Sequence, residues 1–178
     1  MEALLYHIPQ LSAVRDFLEM GGNVLLLIAG LLVFMWMLIV ERMLYLGMRY
    51  PGLARDAIAA WEARVERTSW HAHQVREYLV STVAQDLERG MPLIKTCVAL
   101  CPLLGLLGTV TGMIEVFEVM AISGSGNPRS MSAGVSKATI PTMAGMVAAL
   151  SGVAMSAWLQ RRVSRERDLL AEHMTMDH

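Results

Sequence analysis

The stretch 134–158 (GVSKATIPTMAGMVAALSGVAMSAW) is almost wholly small or apolar, yet it carries an ammonium group at Lys137, a helix breaker at Pro141 and a hydroxyl at Thr142. A second apolar stretch, 96–114 (TCVALCPLLGLLGTVTGMI), holds Thr109 and is followed at once by Glu115. A carboxylate and an ammonium can pair. Two hydroxyls can donate and accept hydrogen bonds without titrating near neutral pH, and a proline ring inside a helix frees carbonyls that need other partners.

Other chemistries find little footing. Cys97 and Cys101 share one helix face, but no histidine lies in that span, so they read as reduced packing residues and no metal site is expected. His71-Ala72-His73 lacks a third ligand and reads as a solvated helix start. There is no G-x-S-x-G, no H-E-x-x-H and no paired aspartate within an apolar run, which argues against an intramembrane hydrolase and against enzymatic activity generally. No cofactor is indicated.

The elements that position these groups follow from the segregation of charge. Of 178 residues, 54% are hydrophobic and 17% charged, with a mean hydropathy of +0.44; a soluble domain averages about 25% charged. The run Gly22–Val40 is uncharged and at about 1.5 Å per residue spans roughly 28 Å, close to the thickness of a bilayer's hydrocarbon. Asp16 and Glu19 precede it where a signal peptide would be basic. With the two stretches above, three transmembrane helices are expected.

Lysine and arginine set the orientation. Eight basic residues lie between the first two spans and four follow the third, whereas the N-terminal segment has only Arg15 and the loop between the second and third spans only Arg129. The N-terminus is therefore expected outside and the C-terminus in the cytoplasm. The net charge of −1, with acids interspersed among the arginines, gives no basic face for nucleic acid.

Between the first two spans, Leu53, Ala57, Ile58, Trp61 and Val65 recur at helical spacing, and Val75, Leu79, Val83 and Leu87 at intervals of four. Thr68-Ser69 reads as a capped turn and Gly90-Met91-Pro92 as a break. The expected fold is all-α: an N-terminal periplasmic segment (1–21), transmembrane helix 1 (22–44), a cytoplasmic helical hairpin (45–94), transmembrane helix 2 (95–121), a periplasmic loop (122–133) with its turn at 123–129, transmembrane helix 3 (134–159) and a cytoplasmic tail (160–178) that prolongs the third helix. Val163, Arg167 and Leu170 allow that prolongation to be amphipathic.

Small residues repeat along the last two spans: Ala138, Thr142, Gly145, Ala149, Gly152 and Ser156 on one, and Cys101, Gly105, Gly108 and Gly112 on the other. Such seams let backbones approach closely in a membrane. Span one is bulky all round and is expected to face lipid, with the other two inside. Three spans enclose little, so the seams point to self-association into a ring. Counting rise per residue puts Thr109 level with Thr142 near mid-membrane, and Glu115 level with Lys137 nearer the outside. Each threonine could line the ring's middle or bond helix backbone, and Lys137 could pair with Glu115 or Glu118 or snorkel.

GLLGTVTG (105–112), preceded by Pro102, and GVSKATIPTMAGMVAAL (134–150) resemble the signature segments of the MotA/TolQ/ExbB proton channel family. Within it, the short N-terminus and compact cytoplasmic part are most similar to ExbB members of accessory TonB systems. The resemblance implies an inner-membrane homo-pentamer around the helices of an ExbD-like single-span partner, using the proton gradient to drive a TonB-like protein for siderophore or vitamin uptake. It also implies pore threonines at Thr109 and Thr142 and a titrating aspartate on the partner. One departure stands out: where many relatives carry glutamate in a G-I-A-E-A segment, this chain has Lys137, so Lys137 is expected to pair with Glu115 at the outer mouth of the proton pathway. Pro141 is expected to loosen the helix beside Thr142 and help water reach it.

Overall fold

The computed structural model describes residues 9–64, 66, 69–123 and 128–174. Five helices account for them: α1 (Pro9–Met48), α2 (Tyr50–Glu62), α3 (Trp70–Glu88), α4 (Met91–Ser123) and α5 (Pro128–His173). No strand occurs among the described residues. Three helical regions are long and apolar enough to cross a membrane, and they contain the three runs identified in the sequence. Helix boundaries differ from expectation at the third: α5 is already helical from Pro128, six residues before the start assigned to the span. The turn expected at 123–129 lies largely at 124–127, outside the described residues, as do Thr68 and Val65.

Local chemistry sets the breaks. α1 bends at Gly22, whose φ of 67° and ψ of −165° only glycine adopts without strain. Pro51 sits in the first turn of α2, where its missing N–H costs nothing. The Ser69 hydroxyl caps α3 by accepting the Ala72 N–H at 3.3 Å, which leaves His71 and His73 exposed at a helix start. Gly90, with φ of 83°, separates α3 from α4.

The chain divides into two compact units. The first draws on Met1–Met35 and Thr96–Gly152. Its core is the small-residue seam of α4 against that of α5, with one face of α1 laid over it: Ile28 clusters with Cys101, Ala148 and Ala149, flanked by Val24, Leu31, Leu32 and Leu104. Both cysteines are buried free thiols. Leu26, Leu27, Val33 and Phe34 on the opposite face of α1 are exposed apolar side chains, as a lipid-facing helix requires.

The second unit draws on Trp36–Lys95 and Val153–His178. Trp61, Ala72, Leu87, Ile94, Leu159, Val163 and Leu170 are buried in it, so the stripes read from the sequence are core faces. Two side chains bind carbonyls along α5 and just past its end: Tyr50 Oη donates to Glu166 O at 2.9 Å, and Arg76 donates to Ala171 O and Met174 O at 2.6 Å each. Arg76 thereby satisfies carbonyls that the end of a helix leaves without intrahelical partners. Burial pushes the Tyr50 phenol above its ordinary pKa, and the nearby Glu166 carboxylate adds to the effect.

Candidate functional site: a hydroxyl pair on the seam of α4 and α5

Close approach of α4 and α5 creates the site. A Cβ added at Gly145 would stand 2.5 Å from the Cys101 carbonyl oxygen and 3.1 Å from the Gly105 Cα, and one at Gly112 would stand 2.8 Å from the Ala138 Cβ. A Cβ at Gly152 would meet Met35 Sδ and Val98 Cγ2, each at 2.6 Å. Gly108 is the seat of the Pro141 ring, with Val24 on its other flank. The two seams therefore fill each other within one protomer, so they no longer argue for a ring as the sequence reading had it. Pro141 is also fully buried and α5 runs through it, so the proline ring wedges the seam.

At this spacing the two threonines meet. Thr142 Oγ1 donates across the seam to Gly105 O at 2.9 Å, and Thr109 Oγ1 reaches the same carbonyl, on its own helix, at 3.4 Å. The two hydroxyls are also in direct hydrogen-bond contact with each other. Each threonine is partly buried, and exposed Leu106 and Met146 belong to the same side of the two helices. Two hydroxyls and one carbonyl thus form a small polar spot on an apolar wall. The sequence placed both threonines at one depth but gave no sign that Gly105 would supply the acceptor; its position four residues before Thr109 was the available clue.

Lys137 and Glu115 also come together, with Nζ and Oε2 3.8 Å apart and side chains 49% and 65% exposed. They do not join the threonines. At 3.6 residues per turn Glu115 lies about 120° round α4 from Thr109, and Lys137 about 140° round α5 from Thr142. Eleven residues place Glu115 within about 20° of Leu104, and Lys137 within about 20° of Ala148, and both of those pack with α1 residues. The ion pair and the hydroxyl pair therefore lie on different faces of the two helices. Beside the ion pair, Gly112, Val116, Met120, Met131 and Gly134 line a cleft of about 180 Å³.

No group of three or more metal-ligating side chains occurs among the described residues. Nothing in the hydroxyl pair can act as a nucleophile or as a general base on its own, since no titratable side chain touches it among the described residues. What the arrangement can do is accept and pass hydrogen bonds.

Known proteins resemble this chain in sequence. The profile of the MotA/TolQ/ExbB proton channel family matches residues 38–172. The ExbB-like protein 1 of Synechocystis sp. is 39% identical over 88 residues, 48% of this chain and 35% of that protein. Biopolymer transport protein exbB1 of Vibrio cholerae is 38% identical over 81 residues, covering 43% of this chain and 36% of its own length. An ExbB homologue of Methanothermobacter thermautotrophicus is 28% identical over 83 residues, 47% of this chain and 29% of the relative. The matched part is thus about a third of each curated relative. With the family profile covering most of the sequence and three apolar helices in the fold, this chain is an ExbB-like multi-pass membrane protein that belongs to the MotA/TolQ/ExbB proton channel family.

Proposed function

We propose that the chain is the ring-forming subunit of a proton-driven motor in a bacterial inner membrane, with its N-terminus periplasmic and its C-terminus cytoplasmic. Five copies enclose the single-span helices of an ExbD-like partner, and the assembly energises a TonB-like protein for uptake of siderophores or vitamins. The observation that carries this reading is the partly buried Thr109–Thr142–Gly105 cluster on the seam of α4 and α5.

The cluster's proton inventory suggests how it works. Each hydroxyl has one proton to donate and lone pairs to accept with. When Thr142 donates to Gly105 O and Thr109 donates to Thr142, both protons are committed, and the pair presents an acceptor to whatever lies opposite. A neutral carboxylic acid on the partner is then the better match. A carboxylate would need one hydroxyl to turn and donate, giving up a bond within the cluster. In a dry conduit the charged acid is also disfavoured by desolvation, so the wall holds the partner's acid when it is protonated and releases it on ionisation. Each proton crossing delivers about 2.3 kcal/mol per 100 mV. Lys137 and Glu115, on a different face, fix the outer end of α4 to α5 and stand outside this exchange.

Thr109→Val and Thr142→Val keep volume and remove the hydroxyls. Intact assembly with loss of proton-driven uptake is the expected result. Normal uptake would favour the second reading, a passive scaffold, which the bond from Thr142 to Gly105 O supports as a packing contact. A TolQ-like role in envelope maintenance would show instead as envelope leakage with uptake unchanged.

A further inference from the structure

The second unit contains a cavity of about 820 Å³ that the motor reading does not use. Its lining residues include three arginines, Arg42, Arg49 and Arg89, and three acidic residues, Glu41, Asp56 and Asp86, with Tyr45, Gly52 and Leu53 completing the wall. Its volume is within the range of about 300–1,000 Å³ typical of small-molecule sites. Its place in the chain is defined by Arg42, the first basic residue after the uncharged run Gly22–Val40, which puts it where hydrocarbon gives way to headgroups.

Arg42 is built into this wall. Its side chain is 11% exposed, and its guanidinium carbon lies 5.2 Å from the Tyr45 ring centre. Gly90 makes room for it: a Cβ there would stand 3.0 Å from Arg42 Nε. Yet its donors are poorly used. Nη1 reaches the Asp86 carbonyl at 3.5 Å, Nη2 reaches Glu41 Oε1 at 3.5 Å, and the buried Nε has no hydrogen-bond partner among the described residues. The enclosed Nε, beside Gly90, is out of a ligand's reach, but the two Nη groups, each with an acceptor no nearer than 3.5 Å, are under-used and fit a ligand that brings oxygen atoms, above all a phosphate.

The balance of charge narrows the ligand. Three arginines stand with three acidic residues, so a purely anionic ligand would gain from the first set and be repelled by the second. We infer that this cavity binds the zwitterionic headgroup of a phospholipid bearing a primary amine, with the phosphate on Arg42 and Arg89 and the ammonium on Asp56 and its neighbouring carboxylates. The inference needs only the membrane location of α1 and is independent of what the hydroxyl pair does.

Native mass spectrometry of the full chain, released from bilayers with equal phosphatidylethanolamine and phosphatidylglycerol, tests it. Wild-type protein retains phosphatidylethanolamine about tenfold over phosphatidylglycerol. Arg89→Gln and Asp56→Asn alter exposed side chains and each lower that retention about fivefold to tenfold, the size expected for one charge-assisted contact, with helical content unchanged. Soluble phosphoethanolamine displaces the lipid and inorganic phosphate does not. Equal retention of the two lipids, indifference to Asp56→Asn, displacement by inorganic phosphate alone, or no retained lipid on the wild-type chain would each overturn the assignment.

Discussion

Replacing Gly145 by alanine adds one methyl group where α5 meets the backbone of α4. The new Cβ would stand 2.5 Å from the Cys101 carbonyl oxygen, about 0.9 Å inside ordinary van der Waals contact. The obstacle is backbone, so no side chain can swing aside and the helices must part. A separation of that size would stretch the bond from Thr142 Oγ1 to Gly105 O from 2.9 Å to about 3.8 Å, beyond hydrogen-bond range. Overpacking costs about 1–3 kcal/mol and the lost interhelical bond about 0.6 kcal/mol; set against the gain of about 0.5–1 kcal/mol from alanine in a helix interior, the net loss is roughly 1–3 kcal/mol. Gly30→Ala is the matched control, because nothing lies within 4 Å of a Cβ there. In a helix interior it should stabilise by about 0.5–1 kcal/mol. Unfolding of both variants in bicelles, followed by circular dichroism, reads the difference directly. If Gly145→Ala equals wild type while Gly30→Ala is the damaged one, the packing of α4 on α5 is wrongly drawn.

Other expectations are smaller or local. Charge reversal at Lys137 or Glu115 alone should weaken the outer end of the seam, and reversal of both should restore it; the pair is at least half exposed, so its unfolding signal should stay within about 1 kcal/mol. Tyr50→Phe removes the bond to Glu166 O and should cost about 0.5–1.5 kcal/mol near neutral pH. Because the folded protein holds the Tyr50 phenol above its ordinary value, its contribution is complete below the unfolded pKa, near 10, and is lost as pH rises through the folded one. Unfolding curves compared at pH 8 and pH 11 should show this alkaline loss in wild type and less of it in the phenylalanine variant. Arg76→Gln gives up both carbonyl contacts at the end of α5, so amide hydrogen exchange near residues 171–174 should rise several-fold with little change elsewhere.

Much of this was legible in the chain because membrane spans obey few rules. Uncharged runs of bilayer length marked three helices, and four-residue spacing marked the buried stripes that include Trp61 and Leu87. Depth was readable too, since rise per residue is fixed: Thr109 meets Thr142, and Glu115 meets Lys137. Azimuth was harder. A seam of small residues says that something packs closely but does not name the partner, and the glycines taken as contacts between copies are occupied by the sister helix of the same chain. The assignment of Lys137 and Glu115 to the same pathway as the threonines rested on depth alone, and their different position around the helices separates them. The packing of Pro141 was hidden for a related reason: its effect on hydrogen bonding is local, but its ring is accommodated by Gly108, thirty-three residues away in sequence.

The mutual occupation of the two glycine lines has a bearing on biogenesis. A hairpin of spans whose closest contacts are already made inside a single polypeptide reaches its mature form without waiting for sister molecules. Insertion and maturation of each newly made copy can then precede recruitment to a larger particle, and whatever joins copies must use the broader, bulkier flanks left outward.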